Sequence, residues 1–461
     1  MIDLLNREHP QYRARRGMWQ RYYDFYAGGE KLRSNAGAYL VRRQKEPVEV
    51  YQERLARAFY ENYLGSIIDW YAATLFRLEP LITFRGPADF FPQFLKDCDL
   101  QGGNFLEFCR RAFIQALVYQ QSYVLIDFPR VTAAAATRAE EDALGKSRAY
   151  LVSYSPEDLI NWRVDQRGSF EWVVLRTESS YQAEFLSAEQ ITERRWSYYD
   201  RQNFRIYVQR ESSADPSGKK AEPVLEDEGR HGLAEIGRVP LVRLAVTDGL
   251  WLANKAALLQ QEHFNKSNAL SWALHMGLFA MPVIYSEREW HQIVGEAYYI
   301  QLGPEDRFGW TEPEGHVYRL AAENLDRLKD EIYRVCYLIT QAAGQEARNL
   351  AQSAASKQRD QTITHEVLRA YGDMMKAFIR QTLELVVAAR RDEVQVEVSG
   401  LDQFDVHDFT GELDRAQKLQ QLVIGSPTFG REMQKRLALK YLEDSSQDVK
   451  NQVAGEIEGR P

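Results

Sequence analysis

Between Asp248 and Arg391 the chain runs through helical and non-helical patterns in an order that few compact folds accommodate. Leu252, Ala256, Leu259, His263, Lys266, Leu270 and Ala273 mark a periodic helix from Leu252 to Met276. A short β-like insert follows, Met281 to Tyr318. Within it Met281–Tyr285 and Tyr298–Leu302 read as strands, Glu287–Val294 as a short helix and Gly309–Leu320 as a hairpin arm. A second helix returns from Ala322 to Ala343, with Leu325, Leu328, Ile332, Val335 and Ile339 on one face. Next comes a small-residue tract, Gln345 to Ser356, and a long helix to Arg391. On that helix Ile363, Val367, Tyr371, Met374, Phe378, Thr382 and Leu385 form an apolar stripe opposite Arg359, Glu366, Arg369, Asp373, Lys376, Arg380 and Glu384. A helix of about 24 residues spans about 36 Å. Two such antiparallel helices with a small distal insert bury little surface alone, so neighbouring copies are expected to cover them.

The rest of the chain is expected to supply a core. Arg13–Tyr26 reads as a helix stopped by Gly28-Gly29. Glu49–Phe76 reads as a second, with Tyr51, Leu55, Phe59, Tyr63, Ile67, Tyr71 and Leu75 on one face. Phe90–Asp99 and Asn104–Gln121 are further helices. The chain then turns to strands: Ser122–Phe128, Tyr150–Tyr154, Ile160–Val164, Glu171–Thr177, Gln190–Tyr199, Phe204–Gln209 and Val239–Val246. Glu211–Glu228 reads as a polar mobile loop and Val394–Val398 as a lone strand. Gly411–Ile424, Arg431–Leu442 and the tail to Pro461 read as helical, with a break at Ser426-Pro427. The fold class expected is α+β.

Several residue patterns match one family. Tyr39-Leu40, then Glu46, then Tyr51-x-x-Arg54-Leu55, leads into a long helix that ends at Phe76-Arg77-x-x-Pro80. Ile236–Val242 is a strand before the first of the paired helices. Leu252-Ala253 to Glu262-His263-Phe264-Asn265, Leu274-His275, Met281-Pro282-Val283 and Gly315-His316-Val317 to Leu325 follow in order. In these residues, and in the element order above, the chain resembles the portal proteins of tailed bacteriophages, also called head-to-tail connectors. The likeness covers most of the chain; its motifs are loose, and their order is specific.

The resemblance implies a division into a wing (1–247), a first stem helix (248–276) and a clip (277–320). A second stem helix (321–343), a tunnel loop (344–356), a tunnel helix with a return wing strand (357–409) and a helical crown (410–461) complete it. It implies a ring, typically of twelve copies, at one capsid vertex of a virion assembled in the host cytoplasm. Double-stranded DNA would pass through its channel without sequence recognition, in packaging and in ejection. The terminase large subunit, the major capsid protein, a scaffold and head-completion or adaptor proteins would be its partners. The tunnel loop would face DNA through Gln345, Arg348, Asn349, Gln352, Ser353 and Lys357. The clip would dock partners through Glu287, Arg288, Trp290, Arg307 and Trp310. No catalysis, cofactor or metal is implied; the packaging ATPase is the terminase.

Composition narrows the alternatives. Formal net charge is −8, against tight DNA binding by counterion release but compatible with DNA sliding past a surface. Three cysteines, Cys98, Cys109 and Cys336, make neither a disulfide framework nor a zinc ribbon. Met1–Pro10 lacks the apolar core of a signal peptide, and no window approaches the ~20 apolar residues of a membrane span. None of the eight histidines forms an HxxxH or HxH pair, and neither a nucleophile elbow nor a phosphate loop occurs. Asp402, Asp405 and Asp408 lack the spacing of a calcium loop, and Glu262-His263 reads as helix-packing polarity. The alternatives are another virion head or adaptor protein and, on the strength of nine Trp and 25 Tyr, a carbohydrate-active enzyme.

Overall fold

The computed structural model describes residues 1–130, 140–141, 144–185, 188–213, 221–277, 281–285, 307–311, 315–338, 354–402, 404, 426–442 and 447–459. In chain order it contains α1 (Ile2–Leu5), α2 (Pro10–Ala27), α3 (Gly29–Ser34), α4 (Val48–Ala56), α5 (Tyr63–Leu75), β1 (Leu81–Arg85), α6 (Phe91–Lys96) and α7 (Phe105–Tyr119). Then come β2 (Gln121–Asp127), β3 (Tyr150–Tyr154), β4 (Leu159–Val164), β5 (Phe170–Gln182), β6 (Gln190–Asp200), β7 (Asn203–Ser212), β8 (Val224–Arg230) and β9 (Leu241–Ala245). The remainder is α8 (Leu252–Gly277), β10 (Met281–Tyr285), β11 (Arg307–Thr311), α9 (Gly315–Val335), α10 (Ala354–Arg390), β12 (Gln395–Ser399), α11 (Pro427–Tyr441) and α12 (Gln447–Glu458). The fold is mixed α and β. The chain divides into two compact units, Met1–Tyr23 with Ile68–Asn254 and Gln358–Pro461, and Asp24–Ile67 with Lys255–Lys357.

The first unit is organised by two antiparallel sheets. One has the order β3-β2-β9, the other β4-β5-β6-β7-β8. Tyr123 and Leu125 of β2, Leu241 of β9, Val173 and Leu175 of β5 and Ile206 and Val208 of β7 meet in one buried cluster. Alternation along each strand sends these residues to a single face. β2 is buried along nearly its whole length because α7 packs against it as well. The Asn104 side chain caps α7 by accepting the Leu106 N–H at 2.8 Å, and the helix inserts Phe105, Phe108, Phe113 and Leu117 as expected. The outer strand β4 is met by the amino-terminal arm. There the His9 N–H donates to the Ile160 carbonyl at 2.8 Å, and the His9 ring stacks on Trp162 at 4.0 Å.

The strand Val394–Val398 is not alone. As β12 it pairs antiparallel with β1, Leu81 opposite Ser399 and Arg85 opposite Gln395. β1 is a strand that local pattern did not reveal, because Pro80 and Gly86-Pro87 frame only five residues. α10 buries Val367, Tyr371, Phe378, Thr382 and Leu385 of the expected stripe and adds Leu368, Met375, Ile379, Leu383 and Val386. The true face is the wider one of an i, i+3, i+4 repeat, and on it Ile363 drifts out to 43% exposure. Gly372 of α10 lies against the loop after β12; a Cβ there would meet the Leu401 carbonyl oxygen at 2.0 Å. Only glycine admits that approach.

Three further expectations are corrected. Glu211–Glu228 is not wholly loop, since β8 pairs with β7, Asn203 opposite Arg230. Glu49–Phe76 is two helices, α4 and α5, separated at 57–62. The returning helix begins at Gly315 and ends at Val335, earlier at both ends than Ala322–Ala343. The reversal after it uses Tyr337 at φ 65°, and the Leu338 N–H bonds back to the Tyr333 carbonyl at 3.0 Å. The segments read as Glu287–Val294, Tyr298–Leu302 and Gly411–Ile424 lie outside the described residues.

Candidate functional site: an antiparallel helix pair and its base

In the second unit α8 and α9 run antiparallel. The Tyr318 hydroxyl reaches the Ala273 carbonyl at 3.4 Å, Lys266 Nζ donates to Asn324 Oδ1 at 2.9 Å, and Lys255 Nζ sits 4.8 Å from the Tyr337 ring centre. As one residue number falls the other rises, so the register holds along both helices. Beyond them β10 and β11 continue the pairing, Met281 opposite Thr311 and Tyr285 opposite Arg307. With 26 residues α8 is about 39 Å long, and α9 with 21 is about 32 Å. Leu328 and Ile332 of α9 are buried, whereas Val317 and Leu320 of α9 and Leu258 and Leu274 of α8 face solvent in the single chain. Asp326, Arg327 and Arg334 lie on the polar side of α9, where Arg334 pairs with Glu331.

The base of α8 is held by amides, not by apolar packing alone. Gln260 accepts the Leu64 N–H at 3.2 Å and donates to the Glu61 carbonyl at 2.9 Å. Asn265 accepts from Val41 N–H at 2.8 Å and donates to the Tyr39 carbonyl at 3.0 Å. Asn268 accepts from the Phe59 N–H at 3.0 Å and donates to its carbonyl at 2.9 Å. Each side chain thus supplies one acceptor and one donor to backbone groups at 39–41 or 59–64 that would otherwise lack them. This explains why Glu49–Phe76 is broken. The stretch 57–62 is drawn to α8, Tyr60 donates to the Phe25 carbonyl at 2.7 Å, and Asn62 caps the start of α5 through the Gly65 N–H at 2.8 Å.

Glu46 and Arg54 form the other fixture. Their side chains are 3% and 4% exposed. Arg54 Nε and Nη2 donate to the two Glu46 oxygens at 3.0 and 2.9 Å, and Nη2 also reaches the Val41 carbonyl at 2.8 Å. The Arg43 N–H donates to the same carboxylate at 3.0 Å. Burial alone would raise the Glu46 carboxyl. Arg54 and the Arg43 N–H more than offset that and hold it below the usual carboxylate range. On α8 itself His263 is 2% exposed and meets Tyr63 edge-on at 5.1 Å; its Nδ1 has no hydrogen-bond partner among the described residues. Burial holds its pKa below the ordinary value, with Glu61 and Asp326 opposing that and Lys329 reinforcing it. Glu262 pairs with Lys266 at 3.1 Å, so Glu262-His263 serves helix packing.

Of the residues expected to face DNA, Gln345, Arg348, Asn349, Gln352 and Ser353 lie outside the described residues, and Lys357 falls in the first turn of α10. Of those expected to dock partners, Glu287, Arg288 and Trp290 also lie outside. Arg307, which is exposed, sits opposite Tyr285, and Trp310 occupies the β11 position opposite Pro282. Arg307 and Trp310 thus share the strand β11. The amide set at 260, 265 and 268 escaped the sequence reading. Its available signal was three amides on an otherwise apolar-periodic helix.

No family model and no curated protein matches the chain. Among solved structures, a chain in the neck of an empty GTA particle, computed with C6 symmetry, aligns at TM-score 0.42 and 11% identity. The alignment covers 79% of this chain and 87% of that one. A chain of the virion of a native gene transfer agent particle aligns at 0.37 and 11%, covering 85% and 93%. Likeness at this level assigns neither a shared fold nor a role to any residue.

Proposed function

We propose that the chain is a portal-type protein, copies of which close into a ring around a channel for double-stranded DNA in a tailed-phage-like particle. One observation carries the reading: an in-register antiparallel helix pair is joined through an antiparallel strand pair, and the 37-residue helix α10 follows it in the chain. Those are the stem, clip and tunnel helix of the portal order. The pair also leaves Val317, Leu320, Leu258 and Leu274 in solvent, a pattern that neighbouring copies would cover. In this reading the insert between α8 and α9, with Glu287, Arg288, Trp290, Arg307 and Trp310, docks the terminase large subunit and, later, head-completion or adaptor proteins. Capsid protein and scaffold surround the ring. The stretch from Gln345 to Lys357 brushes DNA phosphates through Arg348 and Lys357, and the acidic balance of −8 keeps that contact weak. The chain itself performs no catalysis.

Negative-stain electron microscopy with mass determination tests the ring. Rings with a central hole and about twelve 53.4 kDa copies are expected. A chain that stays monomeric with and without scaffold and capsid protein, and that binds no terminase, removes the proposal. Deleting Glu287–Trp310 should abolish motor docking while sparing the first unit; normal packaging by that deletion would refute the docking role. Arg348→Ala with Lys357→Ala should impair DNA translocation or retention more than assembly, whereas loss of assembly would make those residues structural.

A further inference from the structure

The first unit carries arginines at one end of its five-stranded sheet and carboxylates along the outer strand β8. At one end of that sheet the β4–β5 and β6–β7 turns, the loop before β9 and Gln381 of α10 line a cavity of about 480 Å³. Arg167, Arg201, Arg238 and Arg243 line it against a single carboxylate, Asp165. Asp165 pairs with Arg201 at 2.6 Å, and the other three arginines have no carboxylate partner among the described residues. In a chain of net charge −8 this is a local excess of cations. The walls are also partly apolar, with Phe170 and the exposed Ile236.

Along one edge of the sheet, β8 is the last strand in the order, so its outer backbone groups are unpaired among the described residues. It carries Glu226, Asp227 and Glu228, with Glu222 just before it, and exposes Val224 and Leu225. Glu228 makes only a solvent-exposed pair with Arg205 at 3.4 Å, and Glu222 has no ion pair among the described residues. Exposed pairs of that kind are weak and exchange readily. Glu226 is paired with Arg195 and Arg210, and Asp227 with Arg130, so Glu222 and Glu228, with the exposed Val224 and Leu225, are what this edge offers to the arginines and apolar side chains of the cavity.

We propose that the arginine cavity at the β4–β5 and β6–β7 turns of one copy receives the acidic edge strand β8 of the next. The two surfaces are different patches of the same chain, so the contact is heterologous and propagates around a ring. Arginine forks suit carboxylates, and the apolar part of each surface would be idle if the occupant were a phosphate chain. The inference rests on the ring reading above and names one contact within it.

Charge reversal tests it. One variant carries Arg238→Glu and Arg243→Glu; a second carries Glu222→Arg and Glu228→Arg. All four positions are exposed, and circular dichroism checks that each variant folds. Either variant alone sets like charges together, and its assembly midpoint should rise by more than about tenfold. An equal mixture restores opposite charges at every contact and should recover rings with an even number of copies. Normal assembly of either variant alone overturns the contact, as does failure of the folded mixture to recover. DNA binding lost in the first variant with assembly unchanged assigns the cavity to phosphate and overturns it too. A wild-type chain that never assembles overturns the ring reading instead, which separates the two failures.

Discussion

At the residue scale the Glu46–Arg54 pair shows why a motif of spaced residues carries structure. A buried ion pair gains little net stability over an apolar one, but removing one partner strands the other charge. Arg54→Ala should therefore cost about 3–5 kcal/mol, read by urea denaturation, and Arg54→Lys should recover only part because it cannot span both oxygens. The folded Glu46 carboxyl lies below its unfolded value, so its stabilisation is present at neutral pH and lost as pH falls through the depressed value. His263 acts over a different range. Its folded pKa is depressed, so the unfolded chain takes the proton first and stability declines as pH drops below about 6.5. His263→Asn should remove that slope between pH 7 and 5; an unchanged slope would place the titration elsewhere, with the buried His231 as the next candidate.

At the element scale the amides of α8 decide where a helix stops. Tyr51 to Leu75 has the spacing of one continuous helix, yet 57–62 is non-helical because Gln260 and Asn268 offer its backbone better partners than a helical turn would. Asn268→Ala should expose the Phe59 N–H and carbonyl to loss of both bonds and destabilise by about 1–3 kcal/mol. Faster amide hydrogen exchange at Phe59 would report it, and unchanged protection would mean that packing alone holds the segment. Within the helix pair, Ile332→Ala opens a cavity at a fully buried position and should cost about 2–5 kcal/mol.

At the scale of the whole molecule, the surface left bare by one chain is the informative feature. Val317 and Leu320 lie three residues apart on α9 and share a face in solvent. Replacing both by Ser should change the stability of the single chain by no more than about 0.5 kcal/mol per site. Ring formation, followed by sedimentation, should weaken clearly; a ring equally stable without them would exclude this face from the contact between copies. Charged contacts predict the converse salt response, with assembly loosened at high ionic strength.

Much of this architecture was legible in local pattern. The period of α8, α9 and α10, the caps and stops of α2 and α7, and the core strands β2, β3 and β6 all follow from side-chain spacing. Each of these elements buries one face, and burial imposes its period on the residues. Of the candidate site, the helix pair could be read in the same way, whereas Glu46 and Arg54 stood out only through the resemblance to portal proteins and their pairing left no mark in the sequence. The parts that local pattern missed owe their form to distant partners. β1 exists because β12 lies beside it. β8 shows no apolar alternation because none of its residues is buried on either face of the sheet, so only its pairing with β7 marks it as a strand. The break at 57–62 exists because amides about 200 residues further along the chain compete for its backbone. Periodicity records what a segment buries; only the tertiary structure decides which distant group supplies a backbone hydrogen bond, because that choice leaves no repeating mark on the segment itself.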